Sequence, residues 1–141
     1  MADEQSINRV VLAAALARRI LDEAKTALPG EVCGLLIGIV RGGICTIERI
    51  ERSDNLAADK RREFEIDPKL QFRLLRELRG SGRDVVGVYH SHPDGEAIPS
   101  QTDAARALDT GFVWVIVGRG ELRAYAALGE GKGFRPVEVC V

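Results

Sequence analysis

Val85-Val86-Gly87-Val88-Tyr89-His90-Ser91-His92 is a nearly unbroken apolar and β-branched run that ends on two histidines, and Pro93-Asp94-Gly95 turns the chain directly after it. A short apolar run bounded by turn residues reads as a strand. Alternate side chains of a strand share a face, so His90 and His92 point the same way, with Cα atoms about 7 Å apart, and Ser91 points to the opposite side. Two imidazoles at that separation can converge on one metal ion. The end of a strand, followed by a loop and a helix start, is also where α/β sheets place ligand sites.

The segments on either side alternate between the two periodicities. Upstream, Cys33 to Val40 is a second apolar run, Arg41-Gly42-Gly43 reads as a hairpin turn, and Ile44 to Ile50 as its partner strand. Residues 53–63 are polar and without period, hence a loop; Phe64-Glu65-Ile66 is a short strand candidate. Asp67-Pro68 opens a helix as N-cap and first helical residue, with Leu70, Leu74, Leu75 and Leu78 as its apolar face and Gly80 as its stop. Downstream, a helix is expected from Ser100 to about Asp109, stopping near Gly111, then strands over Phe112–Val117 and Leu122–Leu128, and a last edge strand within 134–141. The expected fold is α/β: a single domain over residues 1–141, with a central mixed β-sheet flanked by helices.

The N-terminal segment has two readings. Val10 to Ala17 is an apolar run that imitates the core of a signal peptide, but Asp3 and Glu4 precede it, with Arg9 as the positive side chain. Leu12, Leu16, Ile20, Ala24 and Leu28 recur every four residues opposite Arg18, Arg19, Asp22, Glu23 and Lys25, which reads as an amphipathic helix on a core. The apolar run is also far too short to cross a membrane. The chain has 141 residues, with 20 Lys and Arg against 21 Asp and Glu. That balance excludes the broad basic face of a dedicated nucleic-acid binder. Cys33, Cys45 and Cys140 form no CxxC pair, so neither a disulfide framework nor a four-cysteine zinc site is indicated, and the expected compartment is the reducing cytoplasm.

Asp103 falls in the first turn of the helix after the loop and is the candidate third ligand. Two neutral imidazoles, a carboxylate and a water make the open site of a catalytic zinc. Each residue also has a structural reading. The histidines can be hydrogen-bonded residues of a core. Ser100-Gln101-Thr102-Asp103 has the form of a capping box, which is compatible with presenting Asp103 to a metal. Lys60-Arg61-Arg62, the only basic run, reads as a solvated loop neutralised by Asp59, Glu63 and Glu65 or as a phosphate-binding patch. Cys33, Trp114 and Tyr125 read as packing residues.

His90-x-His92, seven residues, Ser100, two residues and Asp103 resembles the signature of the JAMM (MPN-plus) zinc metallopeptidases, in their compact stand-alone prokaryotic form. Residues 29–38, Phe64-x-Ile66-Asp67-Pro68 and Val86-Gly87-Val88-Tyr89 are similar to further family positions, and the likeness runs from about residue 12 to 128. It implies a cytidine-deaminase-like core and one Zn²⁺ held by His90, His92 and Asp103. It also implies Glu31 as general base and Ser100 as the donor that stabilises the oxyanion. Glu31 precedes the apolar strand, so it can border a site without deep burial. Alone it would read as a solvated turn residue. Ser91, on the other face, would support the site from behind.

The resemblance implies a peptidase or isopeptidase acting at the C-terminus of a ubiquitin-like sulfur-carrier protein or a peptide, without nucleic acid or membrane; the oligomeric state is left open. An extended tail adding to an exposed strand beside the metal would suit such a substrate. Two other classes are set against it. A non-catalytic MPN-type scaffold lacks the ligands present here. A zinc nucleobase deaminase uses H-x-E with P-C-x-x-C, which this chain lacks.

Overall fold

The computed structural model describes residues 7–106, 112–129 and 132–141. Its elements, in chain order, are β1 (Arg9–Leu12), α1 (Ala14–Ala27), β2 (Cys33–Arg41), β3 (Ile44–Ser53), α2 (Pro68–Leu78), β4 (Asp84–His92), α3 (Gln101–Arg106), β5 (Val113–Gly118), β6 (Glu121–Ala127) and β7 (Phe134–Cys140). The sheet is mixed, as expected, and it closes on itself in the order β1-β3-β2-β4-β5-β6-β7. β4 and β5 run parallel, and β1 pairs in parallel with both β3 and β7. The remaining neighbours are antiparallel.

Each hairpin follows from its turn. Gly42 and Gly43 have φ of 59° and 78°, the double positive φ that a two-residue turn between right-twisted strands requires. The sheet carries apolar clusters on both faces, which is why its strands read as nearly continuous apolar runs. Leu36, Tyr89, Val113, Val115 and Val117 face a cluster that includes Ile20 and Ala24 of α1. Leu35, Ile37, Val88, Trp114 and Ile116 face another that includes Leu74 of α2.

The structure corrects four local expectations. The N-terminal helix begins later: Arg9–Leu12 is a strand, because Val10 and Leu12, buried completely, fill alternate positions between β3 and β7. Leu28, assigned to the buried stripe, is 55 % exposed beyond the end of α1. On α2, Asp67 caps through its side chain to the Lys69 amide at 2.9 Å, but Leu75 points to solvent and Leu74 alone is fully buried. β7 is no edge strand, since it has neighbours on both sides. Phe64–Ile66 contributes a single bridge, Asn55 to Ile66. The expected end of the third helix, near Gly111, lies outside the described residues.

Candidate metal centre

His90 and His92 leave the C-terminal end of β4 on the α2 face of the sheet, as the strand period requires. His90 is completely buried, with Phe64 stacked on its ring at 4.3 Å between centroids and Trp114 edge-on at 5.5 Å. Their Nε2 atoms lie 3.1 Å apart. Asp103 Oδ2 lies 3.2 Å from His90 Nε2 and 3.1 Å from His92 Nε2. The three donor atoms therefore form a nearly equilateral triangle.

Asp103 is delivered to that point by the capping box. The Ser100 amide donates to Asp103 Oδ2 at 2.9 Å, and the Asp103 amide donates to Ser100 Oγ at 3.0 Å. One geometry thus serves both readings of the tetrapeptide. Burial by itself raises the Asp103 pKa, but hydrogen bonds from the histidines and the Ser100 amide prevail and hold it well below the usual carboxylate range. Burial depresses His90 below the ordinary imidazole value. For His92 burial also pulls downward, yet the bonds to Asp103 and the Glu96 carbonyl outweigh it and the pKa rises.

The proton positions follow from the partners. Glu96 O can only accept, so His92 Nδ1, 2.9 Å away, carries a hydrogen. In the neutral ring the Nε2 lone pair then faces the Asp103 carboxylate. Two acceptors at 3.1 Å call for a positive charge between them, either a proton on Nε2 or a metal ion. The donor set fits an ion: neighbouring ligands of a tetrahedral site with 2.0–2.1 Å bonds stand about 3.3 Å apart. The bond from His92 Nδ1 to a backbone carbonyl is the support that metal-ligating histidines commonly have.

Glu31 adds a second carboxylate. Among the described residues, Glu31, His90 and His92 each offer a ligand atom within 4.8 Å of the others. Glu31 is 6 % exposed, deeper than its place beside a turn suggested. The loop after β3 covers it: the Glu31 amide donates to Lys60 O at 2.6 Å, and Asn55 Nδ2 donates to Glu31 O at 3.3 Å.

Asn55 is the residue that the sequence did not disclose. Its Nδ2 also donates to Glu63 O, and its Oδ1 accepts from the amides of Ala57 and Glu65. One side chain therefore ties the whole loop to the backbone of Glu31. Its partners are all backbone atoms, so no residue pattern signals it. The sequence marks Phe64 as part of a short strand candidate and of the family resemblance, and its stacking on His90 arises from the fold of this same loop.

Ser91 faces away from the histidines, as expected. Its Oγ accepts from the Val32 amide at 2.9 Å, and its own amide donates to Val32 O at 3.1 Å. It thereby fastens β4 to the residue after Glu31. Tyr125 is a core residue whose hydroxyl donates to Ala97 O at 2.6 Å. Gly118 lets the loop that carries Glu96 approach, since a Cβ there would collide with the backbone of Glu96 and Ala97. Burial raises the Cys33 thiol to about 12, which makes it a packing group.

A cleft of about 590 Å³ opens on this centre, lined by Glu31, His92 and Ser100 together with Arg61, Arg62 and the loop from Pro93 to Pro99. His90 and Asp103 lie behind that lining. β4 has neighbours on both sides, so the expected addition of a substrate tail to an exposed strand beside the histidines has no free edge of β4 to use. No helix among the described residues is long and apolar enough to cross a membrane.

Residues 13–128 match the family described as prokaryotic homologs of the JAB domain. A desampylase from Haloferax volcanii is 34 % identical, over 95 % of this chain and 97 % of its own length. A CysO-cysteine peptidase from Mycobacterium tuberculosis is 29 % identical, over 92 % of this chain and 90 % of its own. Among solved structures, a protein from Desulfitobacterium hafniense superposes with a TM-score of 0.80 at 28 % identity, covering 93 % of this chain and 91 % of the other.

Proposed function

This chain belongs to the family of prokaryotic homologs of the JAB domain, and on that premise we propose that it is a single-domain zinc peptidase or isopeptidase that cuts an amide bond at the C-terminus of a ubiquitin-like carrier protein. In this reading His90, His92 and Asp103 hold the ion, Glu31 is the general base and Ser100 stabilises the oxyanion. The observation that carries the division of roles is the lining of the cleft. Glu31 and Ser100 face the space where a substrate arrives, whereas Asp103 lies behind them on the two imidazoles.

Zinc in that place supplies Lewis-acid polarisation of the scissile carbonyl and a water with its pKa lowered to about 7. Glu31 takes the proton of the attacking water and passes it to the departing nitrogen. Ser100 Oγ accepts the Asp103 amide, which leaves its own O–H to donate to the oxygen that gains charge. Asp103 stays ionised throughout, and Ser91 and Asn55 keep the Glu31 segment in register.

The names of the relatives, a desampylase and a CysO-cysteine peptidase, support a carrier-protein substrate. The free thiols of Cys33, Cys45 and Cys140 suit a reducing compartment such as the cytoplasm. The test is to incubate the zinc-loaded protein with ubiquitin-like carriers that bear C-terminal extensions or lysine-linked partners, and to read the products by mass. Release at the carrier C-terminus is expected. Cleavage of generic peptides with every carrier left intact would overturn the carrier assignment, and a protein that takes up no metal and cuts nothing would overturn the enzyme.

A further inference from the structure

The loop between β3 and α2 brings two arginines into the cleft. Arg61 and Arg62 line the same space as Glu31, His92 and Ser100, while Asp94 and Glu96 line it from the loop after β4. The arginine segment is held in place. Lys60 O accepts the Glu31 amide, Asp59 Oδ1 accepts the Arg61 amide at 3.3 Å, and Asp59 O accepts the Arg62 amide at 3.2 Å. Among the described residues neither guanidinium pairs with a carboxylate, unlike those of Arg49, Arg73 and Arg83. Two uncommitted cations thus sit within two residues of a backbone bond to the proposed general base.

Resting on the hydrolytic reading above, we propose that Arg61 and Arg62 bind the free α-carboxylate of the residue that leaves, so that the preferred substrate is a carrier extended at its C-terminus by a terminal amino acid. Such a carboxylate lies one residue, about 3.5 Å of chain, beyond the scissile bond. Guanidinium groups match it with paired, charge-assisted hydrogen bonds. An isopeptide bond to lysine places an uncharged methylene chain at that point and gains nothing from the arginines. The two classes of substrate are therefore separated by one charge next to the reacting atoms, the kind of difference a polar site discriminates well.

The test uses a peptide ending in Gly-Gly-Ala, prepared as the free acid and as the C-terminal amide. Binding of each is measured by calorimetry to the Glu31→Gln protein, and hydrolysis of each by the zinc-loaded parent. The free acid is expected to bind about tenfold more tightly than the amide, with the difference shrinking at high salt. In the same Glu31→Gln background, Arg61→Ala/Arg62→Ala should bind both peptides as the Glu31→Gln protein binds the amide, and Arg61→Lys/Arg62→Lys should keep part of the preference. Equal binding of acid and amide by the Glu31→Gln protein, including no binding of either, overturns the proposal. So does a double alanine variant that weakens both peptides alike, the result expected if the arginines met an acidic face of the carrier. Failure of the hydrolytic reading shows separately, as an acid preference in binding with neither peptide cut by the zinc-loaded parent.

Discussion

Two ionic clusters differ in almost everything except their charge-bearing residues. Between β3 and α2, Arg49, Glu51, Arg73 and Glu77 form a closed ring in which each carboxylate meets both guanidiniums, at 2.6 to 3.4 Å. Its side chains are 26 to 53 % exposed, and its charges cancel. At the end of β4, Asp103 faces two imidazoles, the three side chains no more than 14 % exposed, with Glu31 buried beside them. There the Asp103 carboxylate meets two imidazole nitrogens that draw together only around a proton or a metal ion. A surface ring is complete as it stands and contributes little. A carboxylate buried between two imidazoles is an expense that folding alone does not explain, and such violations of local rules mark functional sites.

Substitutions at the inner cluster test that contrast most severely. Glu31→Gln should lower kcat by about 10²- to 10⁴-fold while metal content, measured by elemental analysis, stays at the parent level. Loss of metal with the activity would make Glu31 a ligand instead. Asp103→Asn should empty the site, and elemental analysis would then find little metal where the parent holds one ion. Retention of the ion would remove Asp103 from the ligand set. Chelation of the parent should lower the melting temperature by about 5–10 °C, from about 2.7 kcal/mol of linked binding at a hundredfold excess of free metal over Kd. An unchanged melting curve would mean that the buried cluster is content without an ion.

Asn55→Ala lies between the two clusters in expected effect. It leaves backbone groups of the loop unpaired and should cost about 1–3 kcal/mol in denaturant unfolding. It should also depress kcat, because the loop that covers Glu31 loosens. Arg73→Ala, in the outer ring, should cost about 0.2–1 kcal/mol and leave hydrolysis unaltered. The ring also has a pH signature. Burial raises the Glu51 pKa, but Arg73 and Arg49 lower it further, so it lies below the ordinary carboxylate value in the folded protein. Its contribution is full above the unfolded pKa and fades as pH falls through the folded one. Melting curves of parent and Arg73→Ala should therefore converge in acid and separate towards neutral pH.

What the sequence disclosed follows the range of each interaction. The histidine pair was legible because a strand repeats every two residues, and Asp103 because a capping box has a fixed spacing. Closure of the sheet was not, since Arg9–Leu12 is four residues long and its leucine falls in step with the helix behind it. The depth of Glu31 was hidden for a different reason. It depends on a loop held by one asparagine through backbone atoms, and backbone atoms are the same in every sequence.

The closing of β1 against β7 bears on how the molecule is made. Arg9 to Val11 pair with Glu138 to Cys140, and the ion pair of Arg9 with Glu138 spans 129 positions. A chain emerging from the ribosome therefore carries β1 with one side unpaired until β7, 129 positions further along, has been synthesised. Barrel completion waits for β7, and an exposed strand is a template for pairing with other chains until then. The ring that leaves the mature fold without a loose edge thus concentrates the risk of aggregation into the interval before its last seam is formed.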